Sequence, residues 1–192
     1  SDLGTRAIIE GRLEEVLDIT SSIKTYGVEV GVSGMANILA LISEIRAKVY
    51  LYKDLEVLES TLRTAAGDIE RSELRVATSF SLILAHLGRQ DEVMKILERF
   101  VIKRPNIGTD QDLMFLYMDA IFLESAVLVD YHQAGELLLK RFAGTSALTS
   151  GIFHPTCIPR HLGGAAALLG RYEEARKYYA EDIKVCKEIS YL

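Results

Sequence analysis

Gly170-Arg171-Tyr172-Glu173-Glu174-Ala175 is the stretch on which the reading of this chain turns. A glycine can take the left-handed conformation that closes a helix, which a residue with a Cβ adopts only at a cost. Acidic residues just behind it face the positive end of the next helix dipole. The small apolar residue that follows lets two helices approach closely. The pattern stands also at Gly11-Arg12-Leu13-Glu14-Glu15-Val16, Tyr52-Lys53-Asp54-Leu55-Glu56-Val57, Gly88-Arg89-Gln90-Asp91-Glu92-Val93 and Asp130-Tyr131-His132-Gln133-Ala134-Gly135. Starts at 11, 52, 88, 130 and 170 return every 36 to 42 residues, the period of a helical-hairpin repeat. The acidic residues of these turns read as solvated helix starts.

Outward from the turns, apolar periodicity predicts leading helices at 33–51, 71–87, 110–129 and 156–169, and second helices at 11–25, 54–66, 90–102, 132–142 and 172–190. Breakers lie at Gly27 to Gly34, Gly67-Asp68, Arg104 to Gly108 and Gly144 to Pro155. The first hairpin has almost no room for a leading helix. The expected fold is all-α: a right-handed superhelical stack of about five antiparallel helix hairpins, one solenoid over 1–192. A solenoid needs neighbours or caps over its end faces, and both ends look cut, so the expectation is a fragment of a longer protein. In 110–129 apolar residues cover nearly the whole circumference. That suits a central helix flanked on both sides or an exposed partner surface.

Composition narrows the function classes. The chain has 192 residues, 49% hydrophobic and 26% charged, the balance of an ordinary folded protein. A net charge of −5 argues against general binding to a phosphate backbone, so no direct nucleic-acid contact is expected. Asp119 and Glu124 interrupt the most apolar stretch, and no signal peptide is visible, so no membrane association is expected. Two cysteines, Cys157 and Cys186, fall short of a disulfide framework and leave room for a single bridge at most, and a reducing cytoplasm is the simplest compartment.

Chemical sites find little support. Cys157 and His161 are four apart with His154 just before them, but no Asp or Glu joins them in that stretch, and Pro155 and Pro159 put them at an irregular helix start. Cys157 then reads as a small buried apolar residue, and neither metal nor other cofactor is expected. The four histidines, His86, His132, His154 and His161, have no nucleophile elbow or reactive-cysteine context. Gly31-Val32-Ser33-Gly34 lacks the Lys-Ser/Thr of a phosphate loop. The chain is therefore not expected to be an enzyme.

Residues 161–179, His161 through Gly170 to Tyr179, resemble a tetratricopeptide repeat, with the small and aromatic packing positions on Gly163, Ala175 and Tyr179. The 71–102 hairpin matches more loosely through Ser81, Gly88, Val93 and Leu97. The longer period, with Gly151-Ile152-Phe153-His154-Pro155 leading into the last repeat, is similar to the tetratricopeptide-like C-terminal regions of LuxR-type transcription regulators and of ATPases associated with adenylate or guanylate cyclase domains.

The resemblance implies a noncatalytic protein-interaction or effector-sensing module of a bacterial signalling or transcription regulator. Its partner would be a protein or peptide segment, or another copy of the same chain. The alternative is a small-molecule inducer site within the superhelix. Carrying over the family's concave groove positions selects Arg46 and Tyr50, then Arg75, Thr78 and His86, then Tyr117 and Glu124, and last Arg160. Mixed charge and aromatic character suit a peptide or protein segment.

Overall fold

The computed structural model describes residues 2–66, 74–143, 145–150 and 155–188. Among these it is all-helical, with α1 Asp2–Ile9, α2 Leu13–Glu29, α3 Ser33–Leu51, α4 Leu55–Ala66, α5 Leu74–His86, α6 Gln90–Leu97, α7 Leu116–Leu128, α8 His132–Ala143, α9 Ile158–Leu168 and α10 Tyr172–Glu188. A π-turn, Glu98–Ile102, extends α6. Extended pairing among the described residues amounts to one isolated bridge between Thr149 and Cys157. The expected Gly67-Asp68 breaker, the first turn of the 71–87 helix, Gly144, the Gly151 to His154 phrase and the last residues of the 172–190 helix lie outside the described residues.

The five turns share one backbone closure. Gly11, Tyr52, Gly88, Asp130 and Gly170 are all left-handed, with φ of 69°, 53°, 71°, 60° and 73°. At each, the next amide donates to the carbonyl five residues earlier: Arg12 to Ala7, Lys53 to Lys48, Arg89 to Leu84, Tyr131 to Ala126 and Arg171 to Ala166, at 2.8–3.0 Å. These bonds satisfy carbonyls that a helix end would otherwise leave open. Gly31, with φ 74°, closes α2 onto α3 in the same way through Val32 to Gly27.

Four expectations are corrected. A leading helix, α1, does precede the first turn, because Ala7 and Ile8 bury against Val16 and Ala47. The second turn is one residue longer, since Asp54 is also left-handed; the buried position therefore falls on Leu58, and Val57 points outward. The Gly27 to Gly34 break is narrower than expected, since α2 continues to Glu29 and α3 starts at Ser33.

The fourth correction concerns the 110–129 helix, which begins only at Leu116. Residues 103–115 form an irregular segment organised by buried charge. Asp112 accepts from the amides of Gly108 and Met114. Arg104 forks onto Asp119 at 2.8 and 3.1 Å, and Arg141 of α8 reaches Asp112 at 2.8 Å.

Packing runs from each helix pair to the next: α1 on α2 and α3, α2 on α3, α4 on α5, α5 on α6 and α7, α7 on α8 and α9, and α9 on α8 and α10. From Met118 to Ala126 every residue of α7 is buried, which identifies it as a central helix rather than an open partner surface. Leu113 and Phe115, in the segment before it, stay exposed. Among the described residues, no helix is long and apolar enough to cross a membrane.

Candidate functional site

Leading helices from four successive pairs bring polar side chains to one place. Arg46 and Tyr50 lie one turn apart on α3, His86 ends α5, Glu124 sits near the end of α7, and Arg160 and His161 occupy the first turn of α9. Pro159 starts that turn, at a position where its missing amide leaves nothing unsatisfied. The Tyr50 hydroxyl donates to Glu124 Oε1 at 2.6 Å, a bond across 74 residues of sequence. The guanidinium groups of Arg46 and Arg160 lie 5.2 and 5.5 Å from the centre of the Tyr50 ring. Arg160 Nη2 is 3.9 Å from Glu124 Oε1, and His161 Nδ1 is 4.0 Å from Glu124 Oε2.

His86 stands at the edge of this cluster. Tyr50 and Tyr52 meet its ring edge to face, at 6.2 and 5.5 Å between centres. Both its ring nitrogens are buried and make no hydrogen bond among the described residues. Burial lowers its pKa, outweighing the nearby Glu124 carboxylate. Burial pushes His161 down further, to about 4, so it is neutral at physiological pH; its Nε2 meets the Thr156 hydroxyl at 2.8 Å. Burial and the Glu124 charge together raise the Tyr50 hydroxyl, which stays protonated as a donor.

Thr156, His161 and Glu124 follow the order of a nucleophile, base and orienting acid. The geometry does not make that chemistry available. Thr156 is 1% exposed, so no substrate reaches it, and the His161–Glu124 gap exceeds hydrogen-bond length.

Of the groove residues expected from sequence, Arg46, Tyr50, His86, Glu124 and Arg160 come together. Arg75 is exposed on α5. Thr78 is buried with its hydroxyl donating to the Leu74 carbonyl, and Tyr117 stacks on Phe115. Sequence reasoning did not select Tyr52, His161 or Thr156 for this site. Sequence presents Tyr52 as a turn residue and His161 as a metal candidate, as one of four histidines without catalytic context and as the start of the tetratricopeptide-like stretch; no spacing rule links either to Glu124. Elsewhere an open depression on the outer face of α4 is lined by Glu56, Val57, Ser60, Thr61 and Thr64, residues of one helix without convergent charge.

No family model, curated protein or solved structure matches the chain.

Proposed function

We propose that this chain is a noncatalytic binding module, a tetratricopeptide-like right-handed stack belonging to a cytoplasmic bacterial signalling or transcription regulator. Its leading helices receive a protein or peptide segment. The observation that carries this reading is the convergence of Arg46, Tyr50, His86, Glu124 and Arg160 from four successive helix pairs. Such a row reads an extended segment, with aromatic faces for contact area and charged groups for register. The roles divide by exposure. Arg46 is 3% exposed and supports the cluster from within. Arg160, about half exposed, is the charge a partner meets first, over the ring of Tyr50.

The test starts with a photo-crosslinking residue at position 52 in the producing cell, with position 56 on the outer face of α4 as control. The partner joined at 52 is then titrated against Arg160→Glu and His86→Ala. We expect each change to weaken binding about tenfold or more, or about 1.4 kcal/mol. A partner that joins only at 56, or affinity unchanged in both variants, overturns the assignment.

One observation favours a second reading, a small-molecule effector: the buried His86 nitrogens have no hydrogen-bond partner among the described residues, although tyrosines flank the ring. A ligand that hydrogen-bonds His86 would raise the melting temperature in proportion to its concentration and lose that effect in His86→Ala.

A further inference from the structure

Away from the cluster of leading helices, α10 carries two donors on one face. Asp182 and Cys186 are four apart, so their side chains lie one above the other. The segment before α9 supplies a third. The bridge between Thr149 and Cys157, with the Ile158 amide donating to the Leu148 carbonyl at 2.9 Å, fixes Cys157 in extended backbone at the helix entrance. Its sulfur lies 3.2 Å from that of Cys186, and the Cys186 sulfur lies 3.7 Å from Asp182 Oδ1. All three donor atoms fall within 4.8 Å of one another. Sequence reasoning seeks metal-binding partners for Cys157 only within its own segment, and the fold supplies them from α10.

We propose that Cys157, Asp182 and Cys186 hold a thiophilic divalent cation, with Zn(II) the best fit and a water molecule in the fourth position. In a tetrahedral zinc site the sulfurs stand about 3.8 Å apart and sulfur and carboxylate oxygen about 3.5 Å apart, so the two sulfurs must separate by roughly half an ångström while the Cys186–Asp182 edge already fits. Cys186 and Asp182 are partly exposed, which gives the ion an entry path. Two thiolates and one carboxylate around a divalent ion leave one negative charge, and Arg160 is near enough to act on Cys186 electrostatically. Two thiols alone would also suit a disulfide. Asp182 decides between the two, because a third hard donor beside the sulfurs serves a cation and has no part in a disulfide.

The experiment titrates Co(II), then Zn(II), into the reduced full chain. The expected result is one Co(II) per chain, with a sulfur-to-cobalt charge-transfer band and tetrahedral visible bands that Zn(II) abolishes. Cys157 is buried, so the variants are Cys186→Ser, which should lose charge-transfer intensity, and Asp182→Asn, which should keep it. Both should bind at least about tenfold more weakly, the scale seen even when a supporting outer residue is lost. Absence of the bands, or unchanged affinity in either variant, overturns the proposal. So does conversion of the two thiols in air to one disulfide in a chain that takes up no Co(II).

Discussion

Glu124 shows at the scale of one residue how this fold handles a buried charge. Burial would raise its carboxyl, but His161, the Tyr50 hydroxyl, Arg46 and Arg160 outweigh that and hold it below the ordinary range. For His161 burial prevails, and the Glu124 carboxylate offsets it only in part. The histidine's unfolded pKa is about 6.5 and its folded pKa about 4, so stability is complete above the former and falls as acid protonates the unfolded chain first. The loss accumulates between those two values, reaches roughly 3 kcal/mol and then levels off for this residue. We expect His161→Gln, which keeps a group able to bond Thr156, to flatten the fall in melting temperature between about pH 7.5 and pH 5. An equal fall in both proteins would remove His161 as the cause. Five residues of the cluster were legible through the resemblance, by carrying the tetratricopeptide groove positions over from each turn. His161 and Thr156 were not, since a proline-led helix start sets their orientation.

At the scale of the element, the turns were readable and the segment before α7 was not. Left-handed closure follows from local residue type at Gly11, Gly88 and Gly170, whereas at Tyr52 and Asp130 the spacing of the repeat located it. The start of α7 depends instead on Arg104 and Arg141, whose carboxylate partners are fixed by tertiary packing. Replacing Arg104 by Met should leave Asp119, which is fully buried, facing one fewer charge and cost about 3–5 kcal/mol. Pairing it with Asp119→Leu should recover part of that loss, as read from urea unfolding. Close helix approach makes a second test. A Cβ at Gly27 of α2 would collide with that of Ala36 on α3, and the buried site leaves little room to yield. Gly27→Ala should therefore cost about 1–3 kcal/mol despite its better helix propensity. An unchanged melting temperature would show that the two helices separate freely.

For the whole molecule, a chain of helix pairs that touched only its neighbours would unfold in sections. The Tyr50–Glu124 bond ties the second pair to the fourth, and Arg160 brings in the fifth. Tyr50→Phe removes a bond to a charged acceptor and should cost about 1.5–3 kcal/mol. Amide exchange should then quicken in α7 and α9 as well as in α3; protection lost in α3 alone would mean the distant pairs are not coupled. The period of the turns made the order of the pairs legible. How tightly they curl was not, because that depends on side-chain lengths across α3, α5, α7 and α9.

Tyr52 adopts a backbone that suits glycine, while its ring covers His86. A side chain in that conformation costs about 1–2 kcal/mol. Selection for heat tolerance alone should therefore enrich Tyr52→Gly. On the binding role proposed above, the winners should hold their partner less well, so sturdiness and recognition would pull against each other at this position.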